Sequence, residues 1–393
     1  MKLSVNEYRT RTRALQEHLL SLNAEGVILF NNYYILYYCG FAFIPTERPI
    51  VFIMNTKGDQ ALYVPFLEQE HAETKITIDQ VVSYPEYPYI LHPMEGLLKL
   101  LNDMDIGDLF CSDNDGYPFI FGYKGPTLTE LAGNRPLEIS DFIEEKMTIK
   151  SPAEVTLIKE SVKWGNLAHT LLQRYTRPGE TETEVSLRAS MEATRSMLDA
   201  IGPVYQSQSA FDSGAHAGYR GQIGRNASVP HSLAGNIVFQ TGDVLVTGAN
   251  APVWGYNSEL ERTMIIGTPN DDQKYLFDHM LGLQQTALEA IQPGIPCSEV
   301  DREVRLYYEK HDLMKFWKHH AGHAIGLRYH EGPFLDIGDH TVIKPGMVFT
   351  VEPGLYAGNM GGYRHSDTVL VTEEGIELLT YYPSVLSSLT IPA

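Results

Sequence analysis

The segment Met147–Ser161, MTIKSPAEVTLIKES, carries a complete helix-start signal well inside the chain, and it divides what lies on either side. Ser151 can accept a hydrogen bond from the first turn and Pro152 suits the first helical position. Glu154 stands three residues after the cap, the arrangement of a capping box. Val155, Ile158 and Val162 then recur on one face at helical spacing. In a chain of 393 residues, long enough for two or three domains, this reads as a boundary between a domain of residues 1–146 and one of residues 147–393.

The first part begins with a helical pattern from about Val5 to Asn23, followed by strand-like runs at EGVILF, RPIVFIM and QALYVPF and weaker ones at VVSYP and GDLFCS. Helical stretches between some of these runs indicate an α/β domain. The aromatic run NNYYILYYCGFAF is expected to be a strand with its flanks, packed in a core or a subunit interface. The second part continues with a helix from about Glu182 to Ala200, strands at GNIVFQ, DVLVTGA and TMIIGT, and helices over about Asp271–Ile291 and Ser298–His311. It closes on GMVFTVEPGLY and DTVLVTEEGIELLT, which alternate as antiparallel strands do. The second domain is therefore expected to be α+β.

Forty-nine acidic against 30 basic residues give a formal charge of −19, which argues against a nucleic-acid partner. Cys39, Cys111 and Cys297 are odd in number and far apart, so they suggest neither a disulfide framework nor a zinc knuckle. No signal-peptide pattern opens the sequence and no run approaches the ~20 apolar residues of a membrane span. A reducing cytoplasm is the expected location.

Four segments concentrate chemistry: RNASVPHS with His231; SELERT with Glu259 and Glu261; HHAGHAIGLRYHEGP with His319, His320, His323, His330 and Glu331; and VFTVEPGLY with Glu352, followed by GGYRHSDTV. Alone, a histidine after proline is usually a loop residue, and two glutamates at period two usually form an exposed strand face. The histidine cluster points further, because imidazole is both the acid–base group of neutral pH and a common metal ligand. Gly322 leaves backbone room beside His323.

Taken in order, His231, the Gly242-Asp243 turn, SELERT, GHAIGLRYHEGP, VEPGLY and YRHSDT resemble the pita-bread family, which includes prolidase, aminopeptidase P, methionine aminopeptidase and creatinase. The resemblance covers nearly the whole chain. It implies a creatinase/prolidase-like α/β amino-terminal domain, an α+β pita-bread catalytic domain, and a homodimer. Metal-dependent members hold two divalent ions on two Asp, one His and two Glu. Those positions fall here on Gly248, Glu259, His323, Glu352 and Ser366, so two of the five ligands are absent and a third is changed.

That loss resembles the metal-free creatinase branch. It implies His231 as general base and acid, His323 as its assistant, and Glu261 and Glu352 as binders of a cationic amidino or guanidino group. Arg48 would hold the substrate carboxylate, with Arg328 as a second candidate. The chemistry is coherent, since a planar cation needs paired carboxylates and one histidine can move both protons. The leading expectation is thus a hydrolase of a non-peptide C–N bond in a small amidino or amide compound, with no cofactor. The alternative is a divergent proline-type peptidase with one divalent ion (Zn, Mn or Co) on Glu259, His323 and Glu352, in which His231 and His330 contact the substrate. A non-catalytic pita-bread binding module is the third reading.

Overall fold

The computed structural model describes residues 2–75, 77–209 and 213–393. The chain forms two compact units, one built chiefly from Lys2–Lys146 and the other from residues 147–207 and 213–393.

The first unit is organised by a mixed six-stranded sheet. Its strand order is Gln80–Tyr84, Gln60–Pro65, Val51–Asn55, Gly26–Leu29, Phe110–Ser112 and Leu137–Glu138. The centre is antiparallel, with Ile28 opposite Ile53 and Ile53 opposite Ala61, and both edges are joined in parallel. Strands buried on both faces read as continuous apolar runs, which is why GVIL, and VFIM ahead of Asn55, are apolar throughout. Helix Pro93–Asp103 supplies Met94, Leu97, Leu100 and Leu101 to the core against Ile28, Ile53 and Tyr63.

The aromatic run departs from expectation: Asn32–Cys39 is a helix, not a strand. Its limits are set by local chemistry. The Asn31 side chain accepts from Tyr33 N, and Gly40 ends the helix at φ +71°. Burial of nearly every side chain in between removed the periodicity that would have marked it as helical. The stretch GNIVFQ also differs. Only Val238 makes a bridge, to Thr181, so no strand forms there.

The second unit opens on the capping box as read: Glu154 N donates to Ser151 Oγ at 3.3 Å and Ser151 N donates to Glu154 Oε2 at 2.7 Å. The other Glu154 oxygen accepts from Tyr256 Oη at 2.6 Å, and Ser161 Oγ lies 2.8 Å from Ser258 Oγ. Helix Pro152–Tyr175 thereby grips the hairpin that carries Glu259 and Glu261. An antiparallel sheet in the order Glu331–Leu335, Gly322–Ala324, Val348–Val351, Asp367–Thr372, Gly375–Leu378 forms the main frame. Helices Glu182–Ile201, Asp271–Ala290 and Cys297–Lys310 complete an α+β arrangement. All three cysteines are free and buried, and among the described residues no helix is long and apolar enough to cross a membrane.

Two histidines are buried beneath this frame. Burial, then the Arg262 charge, lowers the pKa of His169 to about 3, and the same causes hold His365 well below the usual range. Both stay neutral in the fold, whereas the unfolded chain protonates them below about pH 6.5. The unfolded state therefore binds more protons, and stability falls as pH drops below about 6.5, by roughly 1.4 kcal/mol per pH unit for each group. Replacing His365 with Phe is expected to flatten the stability–pH slope between about pH 6 and pH 4 by that amount. Urea unfolding at a series of pH values measures it, and an unchanged slope contradicts the assignment.

Candidate active site

The hairpin runs from Gly248–Asn250 through a turn at Trp254 (φ +52°) and Gly255 (φ +82°) into Thr263–Ile266. Ala249 and Leu260 exchange backbone hydrogen bonds of 2.8 and 3.1 Å, and Glu261 pairs with Ser366 at 3.0 and 3.1 Å. Glu259 is fixed on both sides by the Thr368 hydroxyl, which accepts from its N and donates to its O at 2.8 Å each. Period-two alternation then sends Glu259 and Glu261 to one face, and both are buried, not exposed.

His323 reaches the same place from strand Gly322–Ala324. A Cβ at position 322 would lie 2.1 Å from Thr350 O, so only glycine lets this strand close onto its neighbour. Nδ1–H of His323 donates to Ala324 O at 2.9 Å, which fixes the tautomer that leaves Nε2 facing inward. Nε2 makes no directed hydrogen bond among the described residues and lies 3.3 Å from Glu352 Oε1. One donor atom from each of Glu259, His323 and Glu352 falls within 4.8 Å of the others. The set fits a divalent ion of the zinc, manganese or cobalt type: buried, mixed imidazole and carboxylate, with an inward-facing nitrogen short of a partner.

Electrostatics separates the carboxylates. Burial, then the Glu352 and Glu261 charges, raises Glu259 to about 7. Burial would raise Glu352 as well, but the His323 ring 3.3 Å away and the Arg364 charge outweigh it and hold this carboxyl well below the usual range. For His323, burial acts downward and is outweighed by the adjacent Glu352 and Glu259 carboxylates, so its pKa rises to about 9.

Glu261 is not open to a ligand cation. Arg364 grips it bidentately, through Nε to Oε2 and Nη2 to Oε1 at 2.7 Å, and Arg220 Nη2 adds a bond to Oε1 at 2.7 Å. Two guanidinium groups already satisfy this carboxylate, which removes the physical basis for Glu261 as the binder of an amidino substrate. Ser366, at an expected ligand position, donates instead to Glu259 Oε1 at 2.6 Å.

The remaining expected residues are distributed unevenly. The His330 ring stacks on His323 with centroids 3.8 Å apart, and burial, then the His323 charge, lowers its pKa to about 4. His231 sits in an exposed loop close enough for its charge to contribute to that lowering. Arg328 N donates to Glu331 Oε1 at 2.9 Å, and its Nε lies 4.0 Å from the same carboxylate. Arg48 lies in the first unit, where Nε donates to Glu86 at 2.6 Å and Nη1 to Glu47 at 2.5 Å.

Sequence reading missed the roles of Arg220, Tyr329 and Tyr356. Tyr329 hydrogen-bonds Glu259, while Tyr356 Oη accepts from Arg364 Nη1 at 3.1 Å and lies 2.6 Å from His319 Nε2. Tyr329, Tyr356 and Arg364 do lie within recognised segments. Arg220 has no local signal, because its partner is 41 residues away.

The model of metallopeptidase family M24 matches residues 156–373, and that of the creatinase/prolidase N-terminal domain matches residues 11–107. The chain is 30% identical over 331 residues to the Xaa-Pro dipeptidase of Pyrococcus horikoshii, covering 84% of this chain and 86% of the relative. It is 31% identical over 324 residues to that of Pyrococcus furiosus, covering 82% and 85%. The solved prolidase from Pyrococcus horikoshii OT3 superposes with a TM-score of 0.79 at 25% identity, covering 95% of this chain and 99% of that one.

These findings overturn the metal-free, creatinase-like expectation. The relatives are named as Xaa-Pro dipeptidases and the family is one of metallopeptidases, so an amidino substrate and the absence of a cofactor are both withdrawn. The α/β domain followed by an α+β pita-bread domain stands. With the family match spanning more than half its length, the chain belongs to metallopeptidase family M24 and is a hydrolase of C–N bonds.

Proposed function

We propose that the chain is a proline-type peptidase, similar to Xaa-Pro dipeptidases, that works with a single divalent ion held by Glu259, His323 and Glu352. The observation that carries this reading is the convergence of these three donors with His323 Nε2 aimed at the carboxylates. When bound, such an ion supplies Lewis-acid polarisation of the scissile carbonyl and makes water acidic enough to attack near neutral pH. Arg364 keeps Glu352 ionised, and the Ser366 hydroxyl orients Glu259. Neither Gly248 nor Ser366 offers a carboxylate for a second ion.

His330 is neutral at physiological pH, so it can donate a hydrogen bond to the peptide or its leaving nitrogen, with His231 beside it. Arg328, near the same rim, is the candidate for the substrate carboxylate. In contrast, the three nitrogens of the Arg48 guanidinium and ε-position are already bonded to Glu86 and Glu47. The reading includes a homodimer, supported by exposed apolar side chains of the first unit such as Ile90 and Phe119, 95% and 84% exposed.

The test is hydrolysis of Ala-Pro and Leu-Pro by protein dialysed against chelator, then resupplied with Mn²⁺, Zn²⁺ or Co²⁺. Cleavage that is lost on chelation and restored by one of these ions is the expected outcome. Cleavage indifferent to chelator, or none with any ion, contradicts the proposal.

A further inference from the structure

Beside the donor cluster, helix Glu182–Ile201 and the ribbon formed by His216–Gly218 and Gly248–Asn250 border an open groove of about 710 Å³, which Tyr329 and Arg220 also line. Its wall is built, not incidental. Ser190 Oγ bonds both N and O of Ala217, at 3.0 and 3.3 Å, and Thr194 Oγ1 does the same for Ala215, at 2.9 and 3.3 Å. At Gly248 the groove meets the active site without a side chain. A Cβ there would have only Glu261 Oε1 within 4 Å, at 3.6 Å.

The charge of this groove is opposite to that of the chain. The protein carries a formal −19, yet among the described residues none lining the groove is acidic and two are arginines, Arg195 and Arg220. Arg220 bonds Glu261 and Gln222 through Nη2 alone and its side chain is 48% exposed, so the rest of its guanidinium is available. Arg195 is exposed on the helix and has no ion-pair partner among the described residues. An ion on Glu259, His323 and Glu352 balances those two carboxylates. Glu261 then faces Arg364 and Arg220, one negative charge against two positive, and of these two Arg220 lines the groove.

We infer that this groove is an anion-accepting subsite and that the chain prefers Xaa-Pro dipeptides whose Xaa side chain bears a carboxylate, with Arg220 and Arg195 determining that preference. The inference rests on the proposed peptidase reading for its substrate, whereas the anion site itself does not. Every Xaa-Pro dipeptide has the same terminal carboxylate, so a site that discriminates among them must read the Xaa side chain. Charge-assisted contacts to guanidinium provide that discrimination against a neutral isostere.

The experiment compares Glu-Pro with Gln-Pro in the metal-loaded chain and in Arg195→Gln. The expected result is a kcat/KM ratio of about tenfold in favour of Glu-Pro, carried by KM and weakened by salt, which falls towards one in the variant. A ratio near one in the unmodified chain, or a ratio that Arg195→Gln leaves intact, overturns the inference. Calorimetric titration with glutarate and with its neutral diamide provides a readout independent of turnover. Glutarate should bind about tenfold more tightly than the diamide, and Arg195→Gln should erase the difference. If neither dipeptide is cleaved, the peptidase reading fails while this titration still decides the anion site; equal binding of the two compounds overturns it.

Discussion

Substituting His323 with alanine is expected to lower kcat/KM on an Xaa-Pro dipeptide by about a thousandfold or more, and to abolish the rise in melting temperature on adding metal. The imidazole is the one nitrogen donor of the cluster, fully buried, with its orientation set by the bond from Nδ1 to Ala324 O. Without it, Glu259 and Glu352 retain two negative charges and no nitrogen ligand. Losing the Lewis acid forfeits several kcal/mol of transition-state stabilisation, and ~4 kcal/mol corresponds to about a thousandfold. Steady-state kinetics with a thermal melt in the presence and absence of Mn²⁺ measures both effects. A variant within about tenfold of the parent, still stabilised by the ion, would place the metal elsewhere.

The second large effect concerns stability. Lys150 and Glu331 form an ion pair of 2.8 Å whose side chains are 1% and 2% exposed. It joins the residue just ahead of the boundary helix to the segment that follows His330, and Glu331 also accepts from Arg328 N at 2.9 Å. Breaking a buried pair leaves an uncompensated charge, so Lys150→Met is expected to cost about 3–5 kcal/mol. Removing both charges, as in Lys150→Met with Glu331→Leu, should recover part of that loss, because no charge is then stranded. Urea unfolding of the single and double variants tests the pair. A single-variant loss below about 1 kcal/mol contradicts it.

Much of the fold could be read from local chemistry. The capping box at Ser151 and Glu154 formed as its residue types require, and the apolar runs of the first domain became its sheet strands. The helix Asn32–Cys39 escaped because burial on all sides leaves no periodicity to read; only the Asn31 and Gly40 caps mark it. In the site, the positions of Glu259, His323 and Glu352 were legible because they lie in compact motifs. Their leading interpretation was wrong, while the single-ion alternative named the same three residues. Counting absent ligands at Gly248 and Ser366 suggested a site without metal, and Glu261 suggested a cation binder. The fact that settles Glu261 is its capture by Arg364 and Arg220, contacts across 103 and 41 residues. No spacing rule reaches that far.

The central claim is a single ion at Glu259, His323 and Glu352, and it is tested most directly by counting. Metal-depleted protein is titrated with Mn²⁺, Zn²⁺ and Co²⁺, desalted, and measured by elemental analysis against protein concentration. The account predicts that at least one of these ions binds with a stoichiometry close to one per chain, and that binding is lost in His323→Ala. Two ions per chain, none, or one that survives the loss of His323 would contradict it.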